Sequence, residues 1–316
     1  MTRVFNLAPA ALGVLMVSLA GCEARDCDDT KRVEVDDQKA KTEKEDGACL
    51  EFVSTKRWWG DTEQFRGDYE SGKNVVISSG NGSVSVKITS RDDVLATFKP
   101  FVARAHDICD NEEPTSGDRC APIDDDLADQ ELIFEEEDGH YLVQSKRDKS
   151  VNSLGAEIEV ELPSSFNGRL TVAQNNGSTD IDNMGNAAAV IVESQNGSCE
   201  IHTGRAPHID INCKNGSTEV TIGAITRGGS DVRQIFKSSG ELGDLAVAFP
   251  SSDEPFSVSA RSVGSDVLID PASPRGCEVT GSDPRSVTLL CNDATSDDPR
   301  YVIRSDEELV DIGLYF

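Results

Sequence analysis

The chain has 316 residues, and 57 Asp and Glu stand against 30 Lys and Arg, a formal net charge of −27. A hydrophobic content of 37 % is enough for a folded core, which excludes wholesale disorder. The acidic balance argues against a nucleic-acid or anionic-lipid partner, and four histidines with 5 % aromatics leave few parts for acid–base chemistry or aromatic cages.

The first element, residues 1–21, reads as a secretory signal. Met1-Thr2-Arg3 is a short charged start, and Val4 to Ala20 is apolar apart from Asn6 and Ser18. The apolar run of 17 residues also reaches the lower limit for a membrane span, so an uncleaved anchor competes with this reading. Leu19-Ala20-Gly21-Cys22 resembles the lipobox of bacterial lipoproteins. The resemblance implies cleavage after Gly21 and acylation of Cys22, several chains holding far more firmly than one. Glu23 is not the aspartate that retains some lipoproteins in the inner membrane, so the expected location is the outer membrane, on its periplasmic or cell-surface side.

Residues 22–68 read as the lipidated cysteine followed by a charged tether, with runs such as Asp28-Asp29, Asp36-Asp37 and Lys39 to Asp46. Eight of the nine cysteines remain after Cys22. They fall as four sequential couples: Cys27 with Cys49, Cys109 with Cys120, Cys199 with Cys213, and Cys277 with Cys291. Export to an oxidising compartment makes local disulfides the expectation. A C-x-x-C redox motif is absent.

Residues 69–316 read as one β domain, interrupted over 107–130 by a polar, disulfide-closed surface loop. The dominant period is two, as in Val84-Ser85-Val86-Lys87-Ile88 and Ile158-Glu159-Val160-Glu161-Leu162, bounded by Gly, Asn, Ser and Pro. Asn-Gly-Ser recurs at Asn81-Gly82, Asn176-Gly177, Asn196-Gly197 and Asn215-Gly216, the last three spaced by 20 and 19 residues. Apolar positions keep phase with these turns: Leu170/Val172, Val190/Val192 and Ile209/Ile211 before, and Ile181, Ile201 and Val220 after. A constant period near 20 marks stacked coils, each burying its inner face only against its neighbours. Asn-Gly is also the favoured hairpin turn, so a meander is the competing architecture. A longer echo pairs Val160-Glu161-Leu162-Pro163-Ser164-Ser165 with Val247-Ala248-Phe249-Pro250-Ser251-Ser252.

These strand repeats, the Asn-Gly-Ser turns, the Leu-Pro punctuated strand and the lipoprotein signal together resemble the bacterial adhesin β-strand-repeat family, over about residues 70 to 316. The resemblance implies a right-handed parallel β-helix (β-solenoid) and assigns no common enzymatic activity.

Cys199, His202, His208 and Cys213 follow C-x₂-H-x₅-H-x₄-C, a spacing open to a metal. Strand parity turns the cysteines inward and the histidines outward, which favours a disulfide. Asp180, Glu200 and Glu219 hold equivalent outward positions, so stacking predicts an acidic column about 4.8 Å apart. It is a weak candidate for Ca²⁺; a solvated face is the plainer reading. Trp58-Trp59 is expected to cap the open end of the stack. There is no Gly-x-Ser-x-Gly, His-Glu-x-x-His or phosphate loop, and no cofactor signature. The expected role is a non-enzymatic scaffold or adhesin-like module that contacts an envelope polymer or protein. A polysaccharide-active enzyme and a cation-responsive envelope module are the alternatives.

Overall fold

The computed structural model describes residues 30–35, 49–105, 127, 130–146, 154–225, 233–238, 243–295, 298–306 and 310–316. Cys22, Cys27, Cys109, Cys120, the 1–21 signal and nearly all of the 107–130 loop lie outside them. Two compact units divide the chain, Met1–Thr55 and Lys56–Phe316. In the first, β1 (Thr30–Val35) runs parallel to the start of β2 (Cys49–Trp59), with Thr30 opposite Cys49.

The second unit takes in residues 56–68, which sequence pattern alone assigns to the tether. They include β3 (Glu63–Asp68), whose only large apolar residue is Phe65. Such a polar segment carries no strand signature of its own. Its antiparallel pairing partner supplies the order. The chain continues through β4 (Asn74–Asn81), β5 (Val84–Thr89), β6 (Asp93–Ala105), β7 (Glu131–Glu137), β8 (His140–Lys146) and β9 (Leu154–Pro163). Next come β10 (Arg169–Asn176), β11 (Thr179–Asp182), β12 (Ala189–Asn196), β13 (Cys199–His202), β14 (His208–Asn215) and β15 (Thr218–Thr221). The C-terminal part holds β16 (Arg233–Ser238), β17 (Leu245–Ala248), β18 (Phe256–Arg261), β19 (Val267–Asp270), β20 (Cys277–Asp283), β21 (Ser286–Cys291), β22 (Arg300–Ser305) and β23 (Ile312–Tyr315).

These strands build two large sheets. In this unit sheet I runs β6-β9-β5-β11-β13-β15-β17-β23-β19, with β3 also on β6; sheet II runs β7-β8-β4-β10-β12-β14-β16-β22-β18-β21-β20. The chain crosses from one sheet to the other at each Asn-Gly-Ser corner instead of folding back as a hairpin. Successive visits pair in parallel. Leu170 lies opposite Val190 and Val190 opposite Ile209 in sheet II, and Ile181, Ile201 and Val220 follow one another in sheet I. All six are at most 2 % exposed, so their shared inward face forms the core between the sheets. Burial at this level contributes roughly 1.5–3 kcal/mol per large aliphatic side chain. Among the pairs described in this unit, the antiparallel ones lie at the two ends: β3·β6, β6·β9 and β7·β8 at one, β18·β21 and β20·β21 at the other.

Chain order and stacking order differ at both ends. The β8–β9 turn of chain stacks outside β4–β5, so passage from β9 to β10 steps over the β4–β5 layer. Likewise β22–β23 inserts between β16–β17 and β18–β19, so passage from β17 to β18 steps over a place that the last strands fill. The two long steps follow Pro163-Ser164-Ser165 and Pro250-Ser251-Ser252, the two halves of the sequence echo. Each must span two layers, about 10 Å instead of 4.8 Å.

The asparagines of the corners form a ladder. Nδ2 of Asn215 donates to Oδ1 of Asn196 at 2.8 Å, Asn196 to Asn176 at 2.9 Å and Asn176 to Asn81 at 2.8 Å; Asn81 ends the ladder on the Leu154 carbonyl at 2.8 Å. The following glycines pack backbone to backbone. Gly197 has φ +142°, and a Cβ there would fall 1.7 Å from the Gly177 carbonyl oxygen. Only glycine allows both the conformation and the approach.

Inside the corner, the Thr179 hydroxyl donates to Gln174 Oε1, and Gln174 Nε2 donates to the Gly82 carbonyl at 2.6 Å. One layer on, the disulfide Cys199–Cys213 replaces that pair. It joins the residue after one corner to the residue before the next, so it staples two layers diagonally. The Ser194 and Thr218 hydroxyls, at the two remaining positions, are buried without a hydrogen-bond partner. The second disulfide, Cys277–Cys291, closes the antiparallel pair β20·β21.

Aromatic residues close the N-terminal end of this unit. Phe65 meets Phe98 edge-on at 5.7 Å and stacks on Phe134, which stacks on Tyr141 at 5.2 Å. Tyr141 donates to the Asp68 carbonyl at 2.6 Å. This cluster performs the capping that sequence pattern assigns to Trp58-Trp59. Trp59 is instead 40 % exposed, edge-on to Phe101, with Lys99 Nζ 4.1 Å from its ring centroid.

Candidate functional site

The outer face of sheet I carries the predicted acidic column. Asp180 lies opposite Glu200, and Glu200 opposite Glu219, all three exposed. Two carboxylates at this spacing repel by about 0.9 kcal/mol in water. Burial, and then the neighbouring Glu200 and Asp182, push the Asp180 carboxyl above its ordinary range. The flank toward β9 is neutralised instead. Lys87 bonds Glu159 and approaches Glu161 at 3.3 Å, and the bond to Glu159 holds its ammonium above the usual lysine value. Arg91 grips Asp93 through Nε at 2.7 Å and Nη2 at 2.9 Å, and this holds the Asp93 carboxyl low.

Beside the column, at the second corner of the layers, lies an open cleft of about 460 Å³. Gly185, Gly204 and Gly223 stack along its floor. Gly204 has φ +61°, and a Cβ there would come within 2.5 Å of the Gly185 nitrogen. The floor is therefore bare backbone. Asp182, His202, Arg205 and Thr221 line the walls, and His202 Nε2 is 3.8 Å from Glu200 Oε1. The cleft presents acceptors, donors and charges of both signs to a polar ligand, without an aromatic platform. Sequence reasoning singled out His202 only as part of a metal spacing and missed the cleft. The recurring glycine after each sheet I strand (Gly185, Gly204, Gly223) is the signal that marks it.

The residues of the C-x₂-H-x₅-H-x₄-C spacing separate. Cys199 and Cys213 are bonded to each other, and His202 and His208 stand on different sheets. Among the described residues, no three His, Cys, Asp or Glu side chains come together as a metal-binding group, the acidic column included. Among them, too, no helix is long and apolar enough to cross a membrane.

No family model and no curated protein matches the chain. Solved structures similar to it include a proposed cell adhesion protein from Clostridium sporogenes, aligned over 81 % of this chain and 99 % of its own at 10 % identity, with a TM-score of 0.44. A proposed adhesin from Bacteroides fragilis aligns over 80 % and 97 % of the two chains at 8 % identity, with a TM-score of 0.29. A proposed lipid binding protein from Parabacteroides distasonis aligns over 61 % and 92 % at 10 % identity, with a TM-score of 0.17.

Proposed function

We propose that the protein is a bacterial envelope lipoprotein, held in the outer membrane through acylated Cys22, whose body is a right-handed β-solenoid with a non-enzymatic, adhesin-like binding role. The tether of this reading keeps its start at Cys22, and Cys27–Cys49 and Cys109–Cys120 complete the disulfide set. One observation carries the binding role: parallel layers in continuous register give each sheet an outer face on which side chains repeat at about 4.8 Å. Faces of that kind suit extended polymers or proteins better than small substrates. The test is fractionation of cells producing the wild-type chain and Cys22→Ala, with protease accessibility on intact cells and a pull-down of the lipidated protein. Outer-membrane recovery that needs Cys22, with an envelope polymer or protein retained, is the expected result. Exclusive inner-membrane recovery would overturn the location, and an empty pull-down the binding role.

A polysaccharide-active enzyme is the second reading. Asp182 and His202 on the wall of one open cleft favour it. Turnover of an envelope polysaccharide that is lost in His202→Ala would put this reading first.

A further inference from the structure

On three neighbouring strands the outer face of sheet II is basic, against the sign of this acidic chain. On β16, β22 and β18 the outward positions are Ile235 and Lys237; Arg300, Val302 and Arg304; and Ser257, Ser259 and Arg261. Register sets Lys237, Arg304 and Arg261 side by side in one row, and Arg300 lies beyond it on β22. Four residues of strand, about 13 Å, separate Arg300 from the row. Ile235 and Val302 lie between them, and Val302 is only 7 % exposed although it points outward. Arg261, Arg300 and Arg304 are exposed. Among the described residues no carboxylate comes within ion-pair distance of these three; Lys237 pairs with Asp306 at 2.8 Å, and Asp210 lies opposite Ile235.

Like charges set directly opposite on neighbouring strands are unfavourable. Here the repulsion is repeated across three strands of a protein with net charge −27. Arginine's planar fork is the group that grips carboxylate or sulfate with two parallel bonds. We propose that this strip binds a linear anionic polysaccharide, its acidic groups on the cationic row and on Arg300 and an apolar sugar face over Ile235. A single narrow chain lying on the strip stays within a Debye length, about 8–10 Å, of the cations and away from the carboxylates of sheet I. A bilayer or a nucleic-acid duplex is too broad for that. The strip also carries no aromatic side chain on which bases could stack. The proposal gives a ligand class to the binding role proposed above, at a face separate from the cleft.

The test uses the full chain, with calorimetric titration of polygalacturonate fragments (carboxylate), heparin fragments (sulfate), neutral dextran, duplex DNA and anionic phospholipid vesicles. One or both anionic polysaccharides are expected to bind and dextran is not. Binding should weaken roughly tenfold or more between 50 and 300 mM salt and in Arg261→Gln/Arg300→Gln/Arg304→Gln. The corresponding triple lysine variant, which keeps the charge, should retain most of the affinity, and Glu200→Gln on the opposite sheet should leave it unchanged. If the triple glutamine variant misfolds, Arg261→Gln alone carries the comparison. Binding that is equal in wild type and the glutamine variants, absence of binding to both anionic polysaccharides, or preference for DNA or vesicles would overturn the proposal. Membrane recovery of the wild-type chain and Cys22→Ala reads the anchoring separately, because it does not depend on these arginines, and an envelope partner still retained in the pull-down by the triple glutamine variant would leave the binding role standing while overturning this ligand class.

Discussion

Replacing Gly197 by alanine tests the stacked corners directly. Gly197 has φ +142°, where an alanine is strained by about 1–3 kcal/mol. The added Cβ would also sit 1.7 Å from the Gly177 oxygen, so the corner has to move. Movement puts at risk two bonds between layers, Gly177 N–H to the Asn196 carbonyl at 2.8 Å and Gly197 N–H to the Asn215 carbonyl at 2.9 Å. Each is worth about 0.5–1.5 kcal/mol. The sum is a loss of about 2–6 kcal/mol. Gly72 is the control, because it has φ +85° but nothing within 4 Å of the place a methyl group would take. Gly72→Ala should cost about 1–2 kcal/mol, the conformational part alone. Urea unfolding followed by far-ultraviolet circular dichroism, with disulfides intact, compares the two. Equal destabilisation by both substitutions would refute the reasoning, because only the contact between layers separates them.

Two further outcomes follow from the interior and from the acidic face. Cys199→Ala/Cys213→Ala should lose about 3 kcal/mol in urea unfolding, the chain-entropy value for a loop of 14 residues. Cys199→Ala/Cys213→Gln should recover about 1 kcal/mol of that, because the amide can serve Thr218 as Gln174 serves Thr179; a double variant no more stable than the alanine pair would count against that account. The Asp180 carboxyl is raised in the folded protein, so the unfolded chain gives up its proton first as pH rises, and the charge costs folded-state stability above the folded value. Asp180→Asn should therefore stabilise the protein at pH 7, by no more than about 0.5 kcal/mol because the side chain is exposed. The gain should vanish as pH falls below the ordinary aspartate range, and melting curves from pH 3 to 8 check both sign and window.

Local chemistry made much of the architecture legible. Asn-Gly-Ser at a 19- to 20-residue spacing, with apolar residues in phase, identified the corners, the inward columns at Ile181, Ile201 and Val220, and the acidic column at Asp180, Glu200 and Glu219. Parity of residues on a strand separated Cys199 and Cys213 from His202 and His208. The polar strand β3 was not legible, because its order comes from pairing with β6 and not from its own pattern. The basic strip was hidden for the same reason. Lys237, Arg261, Arg300 and Arg304 are scattered over 68 residues of an acidic chain and meet only through sheet register.

By itself, the amino-acid sequence determined which residues face inward and where the chain turns, because both depend on a two-residue alternation and on backbone conformations that few residues tolerate. Only the tertiary structure decided the order of the layers. Nothing in the Pro-Ser-Ser echo itself shows that both copies mark places where the chain steps across a layer occupied by another segment. Which strand lies beside which is a property of long-range pairing, in which any strand with the right alternation offers the same backbone donors and acceptors.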